Sequence, residues 1–378
     1  MRKNIDELLL LGIIFEVLII QEIRVAMIGV GNCASSLVQG VEYYKNVRDN
    51  ETVPGLMHTV FADYRIRDIK FVAAFDINRL KIGRDLSEAI FAEPNVAVKF
   101  AEVPKLGVKV MPSPILDGAA PHTWEAFRVY DEKETKPVDA AEILRENEAD
   151  MLLSYLPVGS VEATKYCAEA CLNTGCAFVN CIPEFIASSP EWSKRFEEKK
   201  IPIAGDDIKS QVGATILHRS LTKLFVDRGV KIDETYQMNI GGDTDFLNMT
   251  VEERLKSKRI SKTEAVTSLL PYTVPIKIGP SDYVPHLGDA KICYIYIKGR
   301  KFGDRPISVD VKLSVEDSPN SGGVVIDVMR AMKVARDRGI GGQLTSMSAY
   351  GFKHPPKQFP DETAKQMVEE FIQGKRER

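Results

Sequence analysis

Four lysines stand in settings that ordinary surface lysines do not share. Lys258 and Lys262 fall four residues apart in KSKRISKT, Lys291 opens the run KICYIYI, and Lys353 lies in SAYGFKHPP. Taken singly, each is first a candidate for a solvated surface position. Lys291 and Lys353, however, stand among apolar and aromatic residues, where burial is expected to depress an amine's pKa and let it move a proton or stabilise a developing oxyanion. Lys298 shares a strand with Lys291 but falls on its opposite face, and reads as an exposed strand-end residue.

A second constellation is GDDIKSQVGATILHR, residues 205–219. The polar loop SQVGAT runs straight into a helix whose apolar positions Ile216, Leu217, Leu221, Leu224 and Phe225 keep helical spacing. Ser210, Gln211 and Thr215 offer side-chain donors beside free backbone N–H groups, and Gly213 allows close approach, which is the make-up of a phosphate cup. A capped helix that binds nothing is the alternative. Asp206 and Asp207 are unsuited to an anion and suit the orienting of lysines or sugar hydroxyls. The loop NIGGDTDFLN repeats the theme, with Gly241 and Gly242 for tight backbone and Asp243, Asp245 and Asn248 as hydroxyl-reading groups.

Such groups need a framework. IRVAMIGVGNCASSLVQGVEYYK, residues 23–45, reads as strand, tight turn and helix, with Gly29, Gly31 and Ala34 matching the GxGxxG/A dinucleotide fingerprint. The match alone is weak. It is strengthened by IKFVAAFDIN, an apolar strand ending in Asp76, the acid expected to accept from ribose hydroxyls. An acid there repels a 2′-phosphate, so NAD is expected rather than NADP. Asp76 lies farther from the glycines than usual, and the polar stretch 46–68 reads as an insertion. Two more strand-to-loop edges follow in ADMLLSYLPVGS and CAFVNCIPEF, with a helix between them closed by Gly175, whereas residues 94–138 show only loops and an ill-defined helix. After residue 205, alternating β-branched and aromatic runs predict a separate mixed sheet, then SGGVVIDVMRAMKVARDRGIGG a long amphipathic helix and PDETAKQMVEEFIQG another. The expected architecture is α/β: a Rossmann-type dinucleotide-binding domain, residues 22–205 and 321–378, with an inserted α+β domain, residues 206–320, which the resemblance given below makes the catalytic and oligomerisation domain, and an extension at 1–21.

Fifty basic and fifty-three acidic residues among 378 leave a net charge of −3, so no global field draws in nucleic acid or a membrane surface. The apolar run at residues 8–20 is interrupted by Glu16 and falls short of the roughly 20 residues a spanning helix needs, so a cytoplasmic protein is expected. Six cysteines make no CxxC pair and read as reduced core thiols, with a metal site from Cys167, Cys171, Cys176 and Cys181 as the alternative. An oxygen-only cation site would leave no trace in the sequence, so the metal is unknown.

The chain resembles the myo-inositol-1-phosphate synthase (inositol-3-phosphate synthase) family in its short bacterial form, from about Ile23 onward. The likeness is carried by IGVGNCASSL, GDDIKSQVGAT, NIGGDTDFLN, KSKRISKT, GPSDYVPHLGDAK, EDSPNSGG and FKHPP. It implies isomerisation of D-glucose 6-phosphate to 1L-myo-inositol 1-phosphate, with NAD recycled within each turnover: C5 oxidation, enolisation at C6, closure onto the C1 aldehyde and reduction at C5. It further implies Lys258, Lys262, Lys291 and Lys353 as active-site lysines and Asp207, Asp245 and Asp317 as their acids. By the same likeness Ser210, Gln211, Gly213 and Thr215 contact the phosphate. Asn32, Cys33, Ala34, Leu156, Pro157 and Asn180 join Gly29, Gly31 and Asp76 around NAD. Lys353 is assigned to proton exchange with the C5 hydroxyl, Lys258 to the C1 oxygen, and Lys262 and Lys291 to phosphate or enolate. Cys33 opens a helix, which could lower its pKa, but no catalytic need for a thiol is evident. The resemblance also implies a homotetramer assembled through the second domain's sheet. An ordinary sugar-phosphate or aldehyde dehydrogenase, and a non-catalytic NAD sensor, are the competing readings.

Overall fold

The computed structural model describes residues 21–378; the apolar run at 8–20 and nearly all of the expected extension lie outside the described residues. Its first sheet is built from short, almost wholly buried strands, the signature of parallel strands covered on both faces. In chain order these are β1 (Ile23–Ile28), β2 (Ile69–Asp76), β3 (Val110–Pro112), β4 (Met151–Ser154), β5 (Ala177–Asn180) and β6 (Pro202–Ala204). All pair in parallel, in the spatial order 3-2-1-4-5-6. This is the doubly wound arrangement, with its switch point where β1 and β4 lie side by side.

The second sheet has four long strands, β7 (Lys231–Gly241), β8 (Ile276–Tyr283), β9 (Ala290–Lys301) and β10 (Arg305–Glu316), in the order 8-7-9-10. It is mixed, as expected: β7 and β8 run parallel, and β9 is antiparallel to both β7 and β10. A last strand, β11 (Gly342–Gln343), returns to the first sheet beside β6.

Five helices position the chemistry. After the glycine turn comes α1 (Asn32–Tyr44), and after β4 comes α2 (Val161–Thr174), closed by Gly175 in the left-handed conformation at φ 75°. The helix α3 (Ala214–Asp227) follows the SQVGAT loop, a short α4 (Thr244–Asn248) follows β7, and α5 (Lys256–Thr267) carries two of the lysines. Helices α3 and α5 cover one face of the second sheet, where Ala214, Phe225, Ile232, Val274, Ile295 and Ile297 form a core of their own.

The long helix α6 (Asp317–Asp337) departs from expectation. It is buried along nearly its whole length and not merely on one face, because it runs through the first domain's core against α1. Its Arg330 and Asp327 pair with each other in that interior, and Arg330 also donates to the carbonyls of His58 (2.8 Å) and Thr59 (3.1 Å). That clamp holds the 46–68 insertion, which folds into a small hairpin, Val60–Phe61 with Tyr64–Arg65. The expected boundary at residues 320 and 321 falls inside the first turn of α6. Two helices complete the chain, α7 (Thr345–Gly351) and α8 (Asp361–Ile372).

No helix of any length forms within residues 94–138, where β3 and one turn of 3-10 helix at Pro121–Thr123 are the regular structure. Residues 96–101 of this segment are held by polar side chains of α1 instead. Asn32 Oδ1 accepts from the N–H groups of Val96 (2.7 Å) and Ala97 (3.2 Å), and Gln39 Oε1 from those of Phe100 (2.7 Å) and Ala101 (3.2 Å). All six cysteines are free thiols; Cys167, Cys171 and Cys176 pack on one face of the first sheet and Cys181 on the other.

Candidate active site

A cleft of about 1790 Å³, open solvent included, lies where the carboxyl ends of β1 and β4 meet the second sheet. One end is shaped for a dinucleotide. Gly29 sits at φ +88°, and a Cβ there would lie 2.5 Å from the Tyr155 carbonyl oxygen. Only glycine fits, so Gly29→Ala is expected to cost at least about 1–3 kcal/mol in stability; an unchanged thermal midpoint would contradict this. Gly31 differs, since a Cβ there meets nothing within 4 Å. It faces the open space that the pyrophosphate of a dinucleotide fills at the start of α1.

Asp76 closes this end. Its two oxygens accept from the N–H groups of Val30 (2.7 Å) and Asn78 (2.8 Å), which fixes the carboxylate and leaves further lone pairs for hydroxyls. Leu156, Pro157 and Cys33 line the same cleft. Burial pushes the Cys33 thiol up to about 12, against a hydrogen bond from Ser321, so the lowering expected at a helix start does not occur. Lys81 is a lining residue that sequence reasoning missed: it is buried, its Nζ donates to Val30 O (2.7 Å) and Asn95 Oδ1 (2.8 Å), and nothing in DINRLKIG distinguishes it from a surface lysine.

Ala34, Asn180, Gln211, Asp206 and Asn248, all expected to touch ligands, are absent from the lining. Ala34 packs into the first domain's core. Asn180 is buried and donates to Asp206 Oδ1 (2.7 Å). Gln211 turns away, its Nε2 donating to Gly55 O at 3.0 Å. Asn32 does line the cleft, although its amide oxygen is engaged by the 96–97 backbone. Asp206 is likewise no reader of substrate. It is fully buried and gathers the N–H groups of Ile186 (3.1 Å), Ala187 (3.1 Å) and Ser188 (3.0 Å), and burial raises its pKa.

The far end of the cleft brings the four lysines together. Lys258 and Lys262 share one face of α5, as residues four apart must. Lys291 enters from the start of β9, and Lys353 from the segment after α7. Asp207 lies between them in the left-handed region at φ +63°, a conformation aspartate tolerates better than most residues. One of its oxygens accepts from both Lys258 Nζ (3.1 Å) and Lys353 Nζ (2.9 Å), and the other from Ser261 Oγ. Asp317, the first residue of α6, pairs with Lys291 Nζ at 2.9 and 3.0 Å.

The charges are therefore unequal. Burial alone would lower every lysine, but at Lys258 the carboxylates of Asp207, Asp245 and Asp317 together outweigh it and raise that pKa. Asp317 does the same at Lys291, so the depressed amine expected there is not found. Lys353 is lowered, because burial exceeds what Asp207 returns. Lys262 has no carboxylate within ion-pair distance among the described residues; burial and the neighbouring Lys291, Lys258 and Lys353 drive it well below the usual lysine range. In this site the ammonium form is favoured at Lys258 and Lys291 and disfavoured at Lys262 and Lys353. Burial would raise Asp207, but Lys258 and Lys353 hold it well below the usual carboxylate range.

Between the two ends lies the SQVGAT loop. Ser210, Gly213 and Thr215 line the cleft, with Gly213 capping the N-terminus of α3, whose first turn carries no acid. Asp245 lines it from α4, while Asp243 caps that helix through Phe246 N–H at 3.0 Å. Burial, then the neighbouring Asp245, push Asp243 up to about 7. Asn248 faces away and donates to Val158 O at 2.8 Å, fastening the Leu156–Ser160 loop. Asp289 does not line the cleft but stands behind it: it accepts from Oγ of the lining residue Ser318, is pushed up to about 6 by burial, and was missed by sequence reasoning. It lies inside the GPSDYVPHLGDAK motif, immediately ahead of Ala290 and Lys291, which was the signal that could have found it. Lys298 pairs with Glu234 on the exposed strand. Among the described residues no three His, Cys, Asp or Glu side chains are grouped to hold a metal, and no helix is long and apolar enough to cross a membrane.

Comparison with known proteins places this geometry in context. The family model for myo-inositol-1-phosphate synthase matches residues 213–318. The chain is 54% identical to inositol-3-phosphate synthase of Mycolicibacterium smegmatis over 360 residues, 93% of this chain and 98% of that protein. It is 52% identical to the inositol-3-phosphate synthase of Corynebacterium glutamicum, again with 93% and 98% coverage. Among solved structures, a myo-inositol-1-phosphate synthase-related protein from Thermotoga maritima superposes with a TM-score of 0.78 at 25% identity, covering 93% of this chain and 98% of that one.

Proposed function

The chain belongs to the myo-inositol-1-phosphate synthase family, and from that premise we propose how its cleft cyclises D-glucose 6-phosphate to 1L-myo-inositol 1-phosphate, the 3-phosphate in D numbering. The observation that carries the reading is the convergence of four lysines, unequally neutralised by Asp207 and Asp317, on one end of a cleft whose other end fits a dinucleotide.

NAD, when bound, supplies the acceptor and then the donor of a hydride at substrate C5. The residues that would hold it are the Gly29–Gly31 turn, Asp76, Cys33, Leu156 and Pro157. The substrate phosphate is held by the N–H groups at the start of α3 with Ser210 and Thr215. Lys353, lowered yet tethered to Asp207, receives the C5 hydroxyl proton and returns it at the end. A C5 ketone acidifies C6, and a neutral Lys262 is suited to accept that proton, while charged Lys291 stabilises the enolate oxygen. The enolate carbon adds to the C1 aldehyde, and Lys258, held charged by Asp207, donates to the C1 alkoxide. Charge develops on oxygen at each stage, which suits ammonium groups in a desolvated site. Asp245 lies on the same wall and can orient substrate hydroxyls.

The test is to incubate the protein with glucose 6-phosphate and sub-stoichiometric NAD while following inositol phosphate and NADH. Many turnovers per NAD without lasting NADH are expected. NADH accumulating in proportion to product would overturn the reading in favour of a dehydrogenase.

Residues 22–205 and 321–378 are taken as the cofactor unit and 206–320 as the catalytic unit. The homotetramer expected for this family is supported by a face of the second sheet that the other described residues leave exposed. There Tyr236, Met238 and Tyr294 are exposed at 38%, 42% and 38%, an apolar surface that a second copy would bury. Tyr294→Glu combined with Met238→Glu is expected to reduce the mass in light scattering to that of a smaller species. An unchanged mass would place the interface elsewhere.

A further inference from the structure

The lysines come from separate pieces of chain, and one partly exposed carboxylate outside the cleft touches the supports of three of them. Asp361, the first residue of α8, accepts from Arg219 Nε on Oδ2 (2.8 Å) and pairs through Oδ1 with Lys209 Nζ (3.2 Å). Both cations are buried, Arg219 at 0% and Lys209 at 1% exposure, and neither lines the cleft. Each would be a buried unpaired charge without Asp361. Burial already brings Lys209 down to about 8 despite that partner.

The contacts radiate to the catalytic elements. Arg219 lies on α3, whose N-terminus forms the phosphate cup. Its guanidinium donates to Ala265 O on α5, the helix of Lys258 and Lys262, and to Phe359 O (2.7 Å) in the segment after Lys353. Gln358 in that segment donates to the carbonyl of Lys353 at 2.8 Å. Lys209 lies two residues after Asp207; its Nζ donates to Ala349 O (2.8 Å) and its N–H to Gly351 O (2.8 Å), both on α7 just ahead of Lys353.

We propose that Asp361, with Arg219 and Lys209 around it, is a positioning unit that sets Lys353 and Asp207 against the lysines of α5 and the phosphate cup. The inference rests on the lysine chemistry proposed above. None of the three touches substrate; they act by holding α3, α5, α7 and the Lys353 segment in one register, and a small misplacement of a reacting group is costly in rate.

The experiment compares full-length wild type, Asp361→Asn, Asp361→Glu and Gln358→Leu for kcat, KM for glucose 6-phosphate, NAD affinity and thermal midpoint. In folded Asp361→Asn, kcat is expected to fall by about tenfold or more, with KM and NAD affinity within about threefold of wild type. Asp361→Glu, which keeps the charge, is expected to recover most of kcat. A wild-type kcat in folded Asp361→Asn would overturn the proposal, as would losses that track the folded fraction alone with no recovery in Asp361→Glu. Should Asp361→Asn fail to fold, Gln358→Leu decides: a kcat lowered by about threefold or more at unchanged KM is expected, and an unchanged kcat overturns the proposal. Failure of wild type to make inositol phosphate would instead overturn the functional reading beneath it.

Discussion

Lys353→Met is expected to lower kcat by about 10²–10⁴-fold, the range general acid–base groups contribute, while NAD still binds. Methionine keeps the volume and apolar stem of the side chain and removes only the amine. Lys353 is the one lysine that combines a lowered pKa with a hydrogen bond to Asp207, at 2.9 Å, so it can both take and return a proton. The sharper readout is a single-turnover experiment with bound NAD. The variant should form little NADH on adding glucose 6-phosphate, because proton removal from the C5 hydroxyl accompanies its oxidation. Wild-type single-turnover rates would move the proton-transfer role to another lysine.

Asp207→Asn is expected to be nearly as damaging, and by a different route. The amide keeps the shape but leaves Lys258 and Lys353 without their carboxylate, and breaking a buried pair in this way costs about 3–5 kcal/mol. Asp207 is 1% exposed, so solvent screening does not rescue the loss. Without it Lys258 loses the largest of the attractions that offset its burial and shifts toward the neutral amine, which cannot protonate an alkoxide. A fall in kcat of about 10²-fold or more is expected, alongside a lowered thermal midpoint. The pH dependence separates the two effects. Asp207 has a folded pKa below its ordinary 3.8, so its stabilising contribution is complete above that value and is lost as pH falls through the folded pKa. The gap in thermal midpoint between wild type and Asp207→Asn should therefore be constant near neutrality and narrow below about pH 4. A gap that stays constant into strong acid would show that the carboxylate's charge is not what stabilises the fold.

Much of the framework was legible from local pattern. The glycine turn, the acid ending β2, the αL glycine after α2 and the period-2 alternation of β7, β9 and β10 are each decided within a few residues, by backbone sterics and by which faces must be apolar. Burial was less legible. The glycine-punctuated segment of α6 reads as amphipathic because its arginines, aspartates and serines look solvent-seeking, yet Arg330 and Asp327 satisfy each other in the interior. Residues 96–101 show no period because they are held by Asn32 and Gln39 from another element, not by a hydrogen-bond ladder of their own.

The sequence by itself determined the parts: a strand-turn-helix that only glycine can build, an anion-binding helix start, and lysines in settings that mark them out. The tertiary structure alone decided their chemical states. Lys262 and Lys291 have opposite pKa shifts, which follow from whether a carboxylate pairs directly with the amine, as Asp317 does with Lys291, or burial and neighbouring lysines prevail. Gln211 and Asp206 have the right chemistry for a ligand but spend it on Gly55 and on the 186–188 backbone. The physical reason is that charge and hydrogen bonding act over a few ångströms of space, and residues 207, 258, 291, 317 and 353 share that space only once the chain has folded.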